Sequence, residues 1–231
     1  MHRLDIICLD VPDNFPDGAF IAFLEYARLH LLNTSHDEPW REFGGASNLI
    51  PWRFRACFED WEAYKSSLLA RGDQGFEDLY RCERALFGMF TAGVSCIDSA
   101  IYSLAALASH PGVLSVSFGA AQQRACNPSV LRQWLAPHAS AAPLVGVLDQ
   151  LLNSAEWRMW VDLRNRMTHR SNLPRVVKAW MGTSPPPIKP LHFASTSSTP
   201  AVEENLDHFD ALVDWLASTL EALLSAGVRL K

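Results

Sequence analysis

FEDLYRCERALFGMFTAGVSCIDSAIYSLAALAS, residues 76–109, is the longest periodic segment of the chain. Leu79, Leu86, Phe90, Val94, Ile97, Ile101 and Leu104 fall at three-, four- and seven-residue steps. That is the period of a helix with one buried face. His110-Pro111-Gly112 stops it. At the α-helical rise the segment would be about 50 Å long, enough for the spine of a bundle. Gly88 and Gly93 are the places where it would break, because each glycine weakens a helix interior.

Working outward, residues 17–33 and 51–71 read as helices. Pro51 suits the first turn of the second and Gly72 follows its end. The stretch NTSHDEPWREFGG, residues 33–45, reads as a loop. DIICLDV, residues 5–11, reads as a short extended piece ended by Pro12. Shorter helices are expected at 128–136 and 142–152, then firmer ones at 153–171 and 201–226. In the last, Asp207, His208, Asp210 and Asp214 read as a solvated face. Residues 182–200 are rich in Pro, Ser and Thr and read as irregular. No internal repeat and no alternation of strand and helix is evident. The expected fold is all-α, a helical bundle in which a long central helix packs antiparallel to the helix at 153–171. Residues 1–75 form an N-terminal helical region and 76–181 the core. Residues 182–200 form a loop, and 201–231 a final helix packing on the core.

Composition supports a packed interior. Hydrophobic residues make up 48% of the 231, and eight are Trp, so several must be buried or lie in an interface. The five cysteines, Cys8, Cys57, Cys82, Cys96 and Cys126, form no CxxC pair. They read as reduced thiols, most of them core hydrophobes, in a cytosol. The first residues, MHRLDIICLDVPDN, place acids where a secretion signal needs an apolar run. No membrane span and a cytoplasmic location are expected. Net charge is −5, which disfavours a passive nucleic-acid coating protein. Residues 154–178 nevertheless carry +4 and the rest −9, a local basic patch on an acidic body.

The basic patch centres on NSAEWRMWVDLRNRMTHRSN, residues 153–172. Asn153 with Glu156 makes a helix start, and Leu173-Pro174 an end. On a wheel of about 100° per residue with Trp157 at the origin, Trp160, Val161, Leu163 and Met167 make the apolar stripe. Arg158, Asp162, Arg166 and Arg170 fall on the wet side. Arg164 falls inside the stripe. A guanidinium facing a core needs a partner, a site or an interface. Glu83 and Asp98 on the long helix are the acids expected to pair with it. Asn165 and His169, four residues apart, lie at the edge of the stripe.

Here the sequence resembles the HEPN superfamily of helical domains. Many of its members are ribonucleases in toxin–antitoxin, phage-defence and CRISPR systems. The signature is Arg, four to six residues, then His, with a polar residue after the Arg. LRNRMTHR carries it as Arg164, Asn165 and His169. SCIDSAIYSLAAL is similar to the helix that packs against the motif, with Asp98 at its polar position. A second match, Arg132 to His138, fails because Gln133 follows the Arg and Pro137 interrupts the helix. The resemblance covers residues 76–175. Some of these toxins carry Tyr two residues after the His, where a partner modifies it. Ser171 stands there instead, which argues against that mode of control.

The resemblance implies a metal-independent endoribonuclease in a toxin–antitoxin or defence system, working with no cofactor on RNA. It implies a homodimer and a possible antitoxin or defence-protein partner. His169 would move protons to and from the 2′- and 5′-oxygens, since its ordinary pKa is near neutrality. Arg164 would hold charge on the phosphorane, and Asn165 would orient the His or bind a phosphate oxygen. Arg166 and Arg170 would hold the RNA backbone. Arg164 and His169 sit about 140° apart on an ideal helix, so two copies of the motif would meet across a two-fold axis. The alternative is a non-catalytic helical dimer that binds a nucleotide or a protein partner. No metal centre is expected, because His30 and His36 lack a third ligand.

Overall fold

The apolar period of residues 76–109 becomes one helix. The computed structural model describes residues 1–31, 38–69, 76–169, 191–193, 202–204 and 206–230. Strands β1 (His2–Leu4) and β2 (Leu9–Val11) form an antiparallel hairpin. Helices α1 (Asp17–Leu31), α2 (Glu38–Leu69) and α3 (Phe76–Ala108) follow. Then come α4 (Ala120–Ala125), α5 (Pro128–Leu135), α6 (Ala142–Asn153) and α7 (Ala155–His169). A second hairpin, β3 (Leu191–Phe193) with β4 (Val202–Glu204), precedes α8 (Leu206–Gly227). The fold is an all-α helical bundle with two small hairpins. One strand, β3, falls in the 182–200 stretch read as irregular; the rest of that stretch lies outside the described residues.

α3 is the spine and does not break at its glycines. Both are sites of close approach. An added Cβ at Gly88 would lie 2.0 Å from an Asp60 carboxylate oxygen. At Gly93 it would lie 2.4 Å from the Trp160 ring. α2 runs antiparallel beside α3. Tyr102 donates to Glu42 at 2.7 Å, Cys96 to the Ile50 carbonyl at 3.3 Å, and Arg84 to Asp60 at 3.3 Å. α2 begins at Glu38, well before the expected start, and Pro51 sits inside it. Such a proline removes one helical hydrogen bond and costs about 3 kcal/mol in an isolated helix. Burial of Ile50, Phe54, Cys57 and Trp61 against α3 outweighs that cost.

One hydrophobic core runs from Leu4 to Leu230. α8 closes it: Phe209 meets Phe90 and Trp61 edge-on, and Gly227 lies under Leu104. The acids of α8 are not simply a solvated face. Asp210 accepts from Trp61 Nε1 at 2.6 Å and from Lys65 at 3.0 Å, and Asp214 accepts from Asn14. His208 lies 3.3 Å from the Met159 sulfur. The side chain of Asp207 is outside the described residues. α3 is also long and apolar enough, over Glu77–Ala108, to cross a bilayer by composition. Of that window, 72% is buried, mostly by packing within the bundle.

α7 starts one residue later than expected. Ser154, not Asn153, caps it, accepting from the Trp157 amide at 3.1 Å; Asn153 bonds back to the Asp149 carbonyl. Its direction also differs from expectation. Trp160 sits against Phe90 and Gly93, while Arg164 faces Asp98 in one cleft with Tyr102. The contacts advance along both helices in the same sense, so α7 runs with α3 rather than antiparallel to it. An apolar stripe fixes which face is buried, not which way the chain travels. The intervening helices α5 and α6 are tied to one another by an Arg132–Asp149 pair at 2.9 Å.

Candidate functional site: a cationic cleft on the motif helix

Among the described side chains of α7, Trp160 and Leu163 are the two fully buried ones, and they orient the rest of it. The buried face centres between them. Arg164 therefore lies on the margin of the stripe, half-buried, rather than inside it. From that margin it enters an open cleft of about 640 Å³ between α2, α3, the start of α5, and α7.

Asp98 is the acid that faces Arg164 there. Glu83, the other acid expected, does not line the cleft. It stands fifteen positions earlier on α3, about 22 Å along the axis, beyond the reach of one side chain. Asn165 is half-buried beside Arg164 but does not line the cleft. His169 is the last residue of α7. Its side chain, and all of Arg170, lie outside the described residues. Arg166 does not line the cleft either. Its side chain is 13% exposed and pairs with Asp162, so it is not on a wet face.

α2 supplies the opposite wall, which the sequence reading did not single out. Arg41, Glu42 and Arg53 all line it. Arg53 is pinned to α3 through Nη1, which donates to the Ser95 carbonyl at 2.8 Å and to the Ser99 hydroxyl. Glu42 accepts from Tyr102. Among the described residues the cleft thus holds three guanidiniums against two carboxylates.

The carboxyl of Asp98 is pushed above the usual Asp range. Desolvation by the cleft walls is the main cause, and the charges of Arg164 and Arg53 pull it partly back. Water reaches its outer face, so the shift is not a measure of stability. Cys126 also lines the cleft. Burial, and then the charge of Asp98, push its thiol up to about 12. A thiol held protonated at neutral pH is a poor nucleophile, so cysteine-based acyl or phosphoryl transfer does not fit this site.

The Asp98 shift makes a prediction. In the folded chain Asp98 keeps its proton to a higher pH than in the unfolded chain. Between the ordinary Asp value near pH 4 and the raised one, the folded state binds more protons. Stability from this group therefore falls as pH rises through that window. Asp98→Asn removes the titration. The difference in melting temperature, variant minus wild type, is expected to increase from about pH 4 towards neutrality. A difference that is flat with pH would show that Asp98 titrates normally.

No family model, curated protein or solved structure matches this chain, so the likeness to HEPN domains rests on LRNRMTHR and its helical setting.

Proposed function

We propose that the chain is a metal-independent endoribonuclease of the HEPN type, acting in a toxin–antitoxin or defence setting. The observation that supports this most is the placement of Arg164. It reaches an open cationic cleft, opposite Asp98, on the helix that carries His169. In the proposed reaction the RNA 2′-oxygen loses its proton to an imidazole and forms a bond to phosphorus. The bond from phosphorus to the 5′-oxygen breaks, and that oxygen takes a proton. Arg164 balances the charge on the phosphorane between these steps. The products are a 2′,3′-cyclic phosphate and a 5′-hydroxyl. Two protomers share the cleft in this reading, because one helix aims Arg164 and His169 apart.

The full chain incubated with single-stranded RNA in excess EDTA is the test. Cleavage with cyclic-phosphate ends is expected. Dependence on added divalent metal, or 3′-hydroxyl products, would remove this mechanism.

A second reading has its own support. Of the motif residues whose side chains are described, Arg164 lines the cleft and Asn165 does not, and a cleft of this volume suits a nucleotide-sized ligand. A binding module that holds a nucleotide without cleaving it would show saturable binding and no products at any pH.

A further inference from the structure

We infer that Arg41 and Arg53 of α2, with Arg164 of α7, form a phosphate-binding site that seats one nucleotide unit of RNA. This rests on the ribonuclease reading for the identity of the polymer, though not for the phosphate.

Charge carries the first part of the argument. Among the described residues, none of these three arginines has a carboxylate within ion-pair distance. Three guanidiniums lining one cleft repel one another unless an anion lies between them. Of the two acids present, Glu42 accepts from the Tyr102 hydroxyl at 2.7 Å. Asp98 lines the cleft without an ion pair to any of the three among the described residues. Three guanidiniums against two carboxylates leave the described lining with one positive charge in excess.

Geometry carries the second part. Arg53 is not a loose surface cation. Its Nη1 is fixed by the Ser95 carbonyl and the Ser99 hydroxyl, which leaves the rest of the fork pre-set without ordering cost. Arg164 lines the other wall; its Nε is buried, so its terminal nitrogens are what it can offer a ligand. A guanidinium can meet a phosphate with two parallel N–H donors. Glu42, fixed by Tyr102, is the acceptor left for a ribose hydroxyl or a base amino group. This also gives α2 a role: it is the anchoring wall for a motif on a different helix.

The test uses the full chain with His169→Ala, so that cleavage does not consume the probe. A short fluorescein-labelled single-stranded RNA is titrated by anisotropy, and inorganic phosphate and a nucleoside monophosphate are run as competitors. Arg53→Gln and Arg41→Gln are each expected to weaken RNA binding roughly tenfold or more. Each should lower the slope of log affinity on log salt by about 0.7. Arg229→Gln, away from the cleft, should leave both unchanged. Melting curves, with Arg53→Lys as a charge-preserving variant, separate lost contacts from lost folding. Affinity and salt slope unchanged in folded Arg41→Gln and Arg53→Gln would overturn the inference, even if the wild type cleaves RNA. Nucleotide binding with the same arginine dependence but no RNA cleavage would support the site and remove the ribonuclease reading.

Discussion

Trp160→Ala is expected to lower stability by about 3–5 kcal/mol, the usual cost of emptying a buried aromatic site. Trp160 is 1% exposed and packs edge-on against Phe90 with ring centroids 5.0 Å apart. It is the main anchor of α7 on the spine. Its Nε1 is buried without a partner, so Trp160→Phe, which deletes that group, should cost much less than the Ala variant. The partner in this contact is a hydrogen atom. Gly93 leaves room for the ring, and a methyl there would sit 2.4 Å from a ring carbon. Gly93→Ala alone should cost about 1–3 kcal/mol by overpacking, despite better helix propensity. The double variant should be more stable than the two single costs imply, by about 1 kcal/mol or more, because the new methyl enters the space left by the ring. Denaturant unfolding of the four proteins measures this. Costs that simply add would mean that the two residues do not touch and that α7 docks elsewhere.

The same contact shows how far the sequence could be read. The three- and four-residue period of residues 76–109 predicted α3 (Phe76–Ala108) nearly to the residue, because one buried face writes itself into the spacing. α8 was legible for the same reason from Leu206 onward, but the start expected at 201 is wrong: strand β4 occupies Val202–Glu204. α2 was not. Gly44-Gly45 and Pro51 are local breakers, and by local rules they read as loop and helix start. Packing along α3 overrode them, which no local rule registers. That error hid the α2 wall of the cleft. Glu42, Ala46, Leu49 and Arg53 do recur at three- and four-residue steps. An arginine closing such a series is the signal that drew attention to Arg164, but it was invisible once residues 33–45 were read as a loop. On α7 the wheel gave the right face within about one residue's rotation. Counting half-buried Trp157 and Val161 as core shifted the stripe and put Arg164 too deep. The use of Gly88 and Gly93 as contact points rather than breaks depends on what lies opposite each, so it needs the tertiary structure.

His169→Ala is expected to abolish RNA cleavage, by several orders of magnitude, at a melting temperature within a degree or two of wild type. The loss is large because in the proposed mechanism the imidazole carries both protons of the reaction. Cys126 cannot stand in, with its thiol pushed up to about 12. The stability cost is small because His169 falls at the edge of the apolar stripe on the helical wheel rather than within it. A histidine that only interacts with the helix end contributes about 1 kcal/mol or less at an exposed terminus. Arg164→Ala should also stop cleavage. Its structural effect should be mild, because Arg164 lies on the cleft margin and Asp98 opposite can take up a proton when the opposing charge is removed. The two variants then differ in a measurable way. Arg164→Ala should raise the Asp98 pKa further, seen as a shift in its carboxyl titration by NMR, and weaken RNA binding. His169→Ala should leave RNA affinity near wild type while removing turnover. Cleavage that survives His169→Ala, under conditions where EDTA has no effect on the wild type, would place the chemistry on another residue and leave the cleft as a binding site alone.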